Sequence, residues 1–202
     1  MNKRDCIILI DNGHGENTPG KCSPDRSLFE WAWARDMAVM IACALNDQGY
    51  NAQLLVREAK DVSLGERVRR ANTIRQANRD KHVILVSVHI NAAGADGKWH
   101  SATGWSGWVA NTASNNSKRL AKLLYEEAEA AGLQGNRSVP PTKFWSANFY
   151  ILRKTLCPAV LTENLFQDNE EEVRYLKSQK GREAIRDLHV NAIIKYINTT
   201  AK

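Results

Sequence analysis

Along this chain, short apolar runs with strand character alternate with longer stretches of helical period, and that alternation admits few architectures. A first strand is expected over 6–10, ending at the turn signal Asp11-Asn12-Gly13. A loop bearing Pro19, Gly20 and Pro24 leads to a helix over 28–48, closed by Gly49. A strand over 52–56, a helix over 64–78 and a strongly apolar strand over 83–90 follow. After a polar loop come an edge strand over 104–109, a helix over 117–131 stopped by Gly132, and an aperiodic loop over 134–148 that carries Pro140-Pro141. A strand over 159–162 and a last helix over 181–197 complete the order. Strands interleaved with helices run mostly parallel and need cover on both faces. The expected fold class is therefore α/β, a single domain over 1–202 with a mostly parallel twisted sheet and helices on both faces. No internal repeat, low-complexity tract or Pro/Gly-rich linker divides it. Ligands of such sheets bind at the carboxyl ends of the strands.

Composition narrows the function classes. With 202 residues, 43% hydrophobic and 25% charged, the chain resembles an ordinary globular protein that buries a core without disulfides. Its longest uninterrupted apolar run, 6–10, is too short for a membrane-spanning helix or a signal-peptide core, even with Lys3 and Arg4 ahead of it. Synthesis in the cytoplasm without an export signal is expected. Cys6, Cys22, Cys43 and Cys157 are scattered with no CxxC pair, and read as reduced, mostly core residues. A net charge of +6 favours polyanions in general. The densest basic stretch, Arg67, Arg69, Arg70, Arg75, Arg79 and Lys81, points in several directions on a helical segment and has no interleaved aromatics. It reads as a solvated helix surface, and nucleic-acid binding is not expected.

Four polar residues fall at strand ends or head an apolar helix stripe. His14 follows the first strand between Gly13 and Gly15, which let the chain turn sharply and leave the imidazole open; alone, it reads equally as a loop residue. In the strand over 83–90, Ile84, Val86, Val88 and Ile90 make one face, while the other passes from Val83 and Leu85 to Ser87, His89 and Asn91. His89 is then a site residue, or a core histidine satisfied by a carbonyl. Glu30 closes a capping box with Ser27, or heads the stripe Trp33, Met37, Ile41, Ala44, where a carboxylate needs a cation or hydrogen bonds. Glu163 ends the strand over 159–162, as a site residue or a helix-capping or surface glutamate. Two histidines and two carboxylates at one sheet edge match the count of a catalytic zinc site, three N/O ligands and one free carboxylate.

In order along the chain, Ile8-Leu9-Ile10-Asp11-Asn12-Gly13-His14-Gly15, Glu30, Ser87-Val88-His89-Ile90-Asn91-Ala92 and Pro158-Ala159-Val160-Leu161-Thr162-Glu163 resemble the zinc N-acetylmuramoyl-L-alanine amidases, amidase type 3. Leu55-Val56-Arg57, Leu64-Gly65-Glu66-Arg67 with Ala71-Asn72, and Phe149-Tyr150-Ile151-Leu152-Arg153 fit as well, so the resemblance covers 5–197. Glu16 and Asn12 depart from the family's usual residues, which bears on loop contacts with substrate. The resemblance implies one Zn2+ ion held by His14, Glu30 and His89, with Glu163 as general base. The implied reaction is hydrolysis of the amide between N-acetylmuramic acid and L-alanine in peptidoglycan. Zinc would polarise the lactyl carbonyl, while Glu163 deprotonates the attacking water and returns the proton to the leaving nitrogen.

A monomer acting on the cell wall after release or export is expected, as a phage-type lysin or a bacterial autolysin, without a separate wall-binding domain. An open, unregulated site is also expected. Another zinc amidohydrolase or carboxypeptidase, or a non-catalytic wall-binding domain, are the alternatives. Trp99, Trp105, Trp108 and Trp145 either stack on sugars or pack the groove. His82, His100 and His189 match no motif and read as structural or solvent-facing.

Overall fold

A computed structural model describes residues 3–200. Six strands form one sheet: β1 (Cys6–Asn12), β2 (Asn51–Leu54), β3 (His82–Asn91), β4 (Ser106–Ala110), β5 (Trp145–Ala147) and β6 (Ala159–Phe166). Their order is β2-β1-β3-β6-β4-β5. The β1–β2, β1–β3, β3–β6 and β4–β5 pairs are parallel, and only β4 against β6 is antiparallel. The helices are α1 (Glu30–Asp47), α2 (Leu64–Ala77), α3 (Asn115–Ala130), α4 (Tyr150–Lys154), α5 (Glu170–Lys177) and α6 (Gln179–Thr200).

Strand alternation sorts the core into two layers. Ile8, Ile10, Ile84, Val86, Val88 and Val160 face α1, α3 and α6, where Met37, Ile41, Leu120, Leu124 and Ile193 are fully buried. Ile7, Leu9, Val83, Leu85 and Leu161 face the thinner layer of α2 and α4, against Val68, Ala71, Ile151 and Leu152. Each such aliphatic side chain contributes about 1.5–3 kcal/mol by leaving water. The sheet is thus held from both sides, as the alternating pattern requires. Of the cysteines, Cys6 and Cys157 lie in the core, where burial pushes both thiols up to about 12. Cys43 sits on the exposed face of α1 and Cys22 is half-buried, so the core reading holds for two of the four.

Several expected boundaries are corrected. The strand over 104–109 is not an edge: β4 lies between β6 and β5, and β5 forms the edge from residues expected to be loop. The sequence around 145–147 is too short to show a period, and pairing with β4 makes it a strand. β6 runs on to Phe166 through a bulge: His89 pairs with Glu163 but Asn91 with Phe166, and Leu165 takes a left-handed φ of 65°. Glu163 is therefore inside a strand, not at its end. The last helix is preceded by α5, which Asn169 caps by accepting a hydrogen bond from the Glu172 N–H. A Cβ on Gly181 would lie 1.9 Å from the Tyr175 carbonyl oxygen, so the tight α5–α6 turn requires glycine.

Candidate functional site

β1, β3 and β6 end side by side, and their last side chains meet the first turn of α1. β1 runs out into Asn12-Gly13-His14-Gly15, and the Gly13 N–H donates to the Val88 carbonyl at 2.9 Å. The glycines act through close approach rather than left-handed geometry. A Cβ on Gly13 would sit 2.4 Å from the His89 ring, and one on Gly15 2.0 Å from the Asp61 nitrogen. The left-handed residue is His14 itself, with φ 60°. Its ring meets that of His89 edge to face, with centroids 5.1 Å apart.

Glu30 reaches this pair from α1. The capping box does not form: Phe29 occupies the cap position without a side-chain bond. The backbone N–H of Ser27 instead donates to Asp25, within a turn where Ser23 and Leu28 also bond each other. Released from that role, the Glu30 carboxylate turns inward and is 1% exposed. Oε1 accepts from the Ile90 N–H at 3.0 Å and lies 3.1 Å from His89 Nδ1 and 3.4 Å from His14 Nε2. Oε2 is enclosed and has no hydrogen-bond partner among the described residues. Burial raises the Glu30 carboxyl, but hydrogen bonds from His14 and His89 outweigh it and hold the group well below the usual carboxylate range. Burial likewise works against a charged His89, and its bond to Glu30 more than offsets this, leaving its pKa raised.

One ligand atom each from His14, Glu30 and His89 lies within 4.8 Å of the others. Two imidazoles converging on a buried carboxylate with an unpartnered oxygen form an anionic N/O donor set suited to a cation. That set fits Zn2+, whose catalytic sites take three such ligands. Glu163 stands across the β3–β6 register from His89. Its Oε2 is also enclosed without a partner among the described residues. Burial pushes its carboxyl up to about 7, opposed by His89 and reinforced by Glu30. A cleft of about 360 Å3 opens over these groups, walled by Leu64, Phe149 and Tyr150. The structure thus gathers all four residues singled out from the sequence.

Sequence reasoning missed Arg67. Read as part of a solvated basic surface, it is 2% exposed and ion-paired with Asp11 at 2.8 Å and Asp61 at 2.9 Å. The signal was its place four residues before buried Ala71 and seven before Ile74, on the apolar face of α2. Its neighbours do follow the surface reading: Arg69 and Arg70 pair with Glu66 at 2.6 and 2.9 Å. Of the unmatched histidines, His189 is buried between Thr162 and the Ile185 carbonyl, His82 meets Tyr196, and His100 pairs with Asp96. Three tryptophans pack rather than project: Trp105 is fully buried, and Trp108 lies against Trp145 with centroids 6.0 Å apart.

Residues 8–195 match the profile of a family described as N-acetylmuramoyl-L-alanine amidase. The chain is 28% identical over 193 residues to the N-acetylmuramoyl-L-alanine amidase CwlM of Bacillus licheniformis, covering 95% of this chain and 68% of that protein. It is 29% identical over 196 residues to the endolysin of Bacillus phage SPP1, covering 97% and 68%. Among solved structures, the N-acetylmuramoyl-L-alanine amidase from Clostridium difficile 630 superposes with a TM-score of 0.80 at 25% identity, covering 99% of this chain and all 100% of that one. Ami1 from Mycobacterium smegmatis superposes with a TM-score of 0.83 at 18% identity, covering 98% and 100%, a likeness of fold. Since the profile runs from β1 into α6, taking in all four site residues, the chain belongs to the N-acetylmuramoyl-L-alanine amidase family.

Proposed function

We propose that this protein is a zinc-dependent N-acetylmuramoyl-L-alanine amidase, a monomeric single-domain enzyme that cleaves peptidoglycan between N-acetylmuramic acid and L-alanine. The observation that carries the reading is the convergence of His14, Glu30 and His89 around a buried carboxylate oxygen with no partner among the described residues, beside Glu163. These three residues hold one Zn2+ ion. When bound, the metal supplies Lewis acidity and lowers the pKa of water to about 7.

Glu163 handles the proton. Burial raises the Glu163 carboxyl above an ordinary one, which strengthens it as a base. It takes a proton from the attacking water and delivers it to the leaving alanine nitrogen. The Ile90 N–H fixes Glu30 Oε1, so the carboxylate of the ligand set is in place before substrate arrives. Leu64, Phe149 and Tyr150 give the cleft an apolar wall against which substrate can pack.

The test is mass spectrometry of purified peptidoglycan after digestion by native, chelated, zinc-restored and E163Q protein. Free peptides beginning with L-alanine, lost on chelation, restored by zinc and absent with E163Q, are expected. Cleavage within the peptide, or at the amide of substrates lacking the sugar, would instead establish a different zinc amidohydrolase. Intact muropeptides throughout, with no zinc retained, would refute the reading.

A further inference from the structure

A left-handed backbone at a residue other than glycine persists only where its surroundings impose it. At His14 the surroundings include the Arg67 guanidinium, which lands every N–H direction on an acceptor. Nε donates to the Val62 carbonyl at 2.7 Å, Nη1 to Asp11 Oδ1 at 2.8 Å and to the Asn12 carbonyl, and Nη2 to the His14 carbonyl at 3.1 Å and Asp61 Oδ1 at 2.9 Å. Two of the five acceptors are the carbonyls on either side of Gly13. Arg35 Nη1 reaches the same His14 carbonyl at 3.3 Å. Asp61 extends the hold to the far side of the loop, since its backbone packs on Gly15 and its N–H donates to Asn17 Oδ1 at 2.7 Å.

We propose that Arg67 is a positioning residue for the metal centre. It fixes the backbone of residues 12–14 so that the His14 imidazole is aimed at Glu30 and His89 before a metal binds. The proposal rests on the reading of those three residues as zinc ligands. A purely structural role needs only the Asp11 pair, and buried ion pairs of that kind are often replaceable by apolar side chains without loss of stability. The two carbonyl contacts straddling Gly13 are what such a pair leaves unused. A lysine cannot supply them, because its donors radiate from one point and cannot span Asp11, Asn12 and His14 together.

The experiment compares the wild type with R67K, R67M and I193A, the last a core truncation on α6, in the layer across the sheet from α2. Apo proteins are followed by thermal unfolding. Zinc affinity is measured by competition with a chromophoric chelator, and ligand geometry by the visible bands of the Co2+-loaded protein. We expect R67K and R67M to bind zinc about 10- to 100-fold more weakly than wild type, with altered Co2+ bands. I193A should lose thermal stability yet keep wild-type zinc affinity and spectrum. If R67M does not fold, R67K decides. Wild-type affinity and Co2+ bands in the Arg67 variants would overturn the proposal, as would a loss of affinity in I193A that matches its loss of stability. A wild type that binds no zinc would instead overturn the metal reading, before any variant is compared.

Discussion

Acidification should cost this protein stability through one buried imidazole. His189 sits on α6 with no exposure, its Nδ1 2.7 Å from the Ile185 carbonyl and its Nε2 3.0 Å from Thr162 Oγ1. Nδ1 must donate to the carbonyl, and in the neutral ring that burial favours, Nε2 is then the acceptor facing the Thr162 hydroxyl. Burial lowers its pKa from 6.5 to about 4, with the Ile185 bond opposing. A histidine depressed in the folded state contributes stability that is complete above the unfolded value and lost as pH falls through the folded one. Between pH 6.5 and 4 the unfolded chain binds more protons, so acid favours unfolding. The linkage relation gives a loss of about 2 kcal/mol at pH 5 and about 3 kcal/mol at pH 4 from this group alone. Urea unfolding of chelator-treated wild type and H189Q, from pH 4 to 8, isolates it, because every other titrating group is common to both. The wild type's stability relative to H189Q should fall by about 3 kcal/mol between pH 7 and pH 4. Parallel curves over that range would refute the assignment.

Three further outcomes are expected. E163Q should keep its zinc, by elemental analysis, while turnover on muropeptides falls about 10²- to 10⁴-fold; near-normal turnover would remove Glu163 from proton transfer. G13A places a Cβ 2.4 Å from the His89 ring, so zinc affinity should drop at least about tenfold as the ring is displaced, and unchanged affinity in chelator competition would contradict that geometry. G181A forces the α5–α6 turn apart and should lower stability by about 1–3 kcal/mol in urea without changing zinc content, whereas an undiminished midpoint would show that the turn yields freely.

Much of this was legible in the sequence because the governing interactions are local or periodic. β1 and β3 are apolar runs whose pairing needs no special side chain, and the switch on β3 from Leu85 to Ser87 and His89 marks where one face of the strand turns from apolar core to cleft. Glu30 showed itself as a carboxylate heading a buried stripe, although the capping box competed with it at equal spacing. What sequence could not show depends on partners far along the chain. Arg67 shares the apolar face of α2, but the acceptors that bury its charge include Asp11, 56 residues earlier, and the Asn12 and His14 carbonyls. β5 exists because β4 pairs with it, and β6 outruns its apolar stretch because Leu165 accepts a left-handed backbone. α5 is short and highly charged, and its buried Val173 and Leu176 find cover in the core they share with α6.

The bulge at Leu165 gives β6 two reading frames. Counting by twos, Leu161 and Glu163 fall opposite Ser87 and His89, in an odd-numbered frame. One extra residue later the frame is even, and Phe166 falls opposite Asn91. Downstream of that switch, Asp168 receives the N–H groups of Ala93 and Gly94 at 2.8 and 2.9 Å and its carbonyl receives that of His100 at 2.7 Å. Glu163 on β6 and the anchor of the 92–100 loop, in the turn just after β6, thus follow from one strand but in different phase. Removing a single residue between Glu163 and Phe166 would leave Glu163 where it is and turn the loop's anchor to the opposite side of the sheet. A change of length in this chain should therefore be tolerated within the 92–100 loop, and excluded from Asn164 and Leu165, the two positions that set the phase of its anchor.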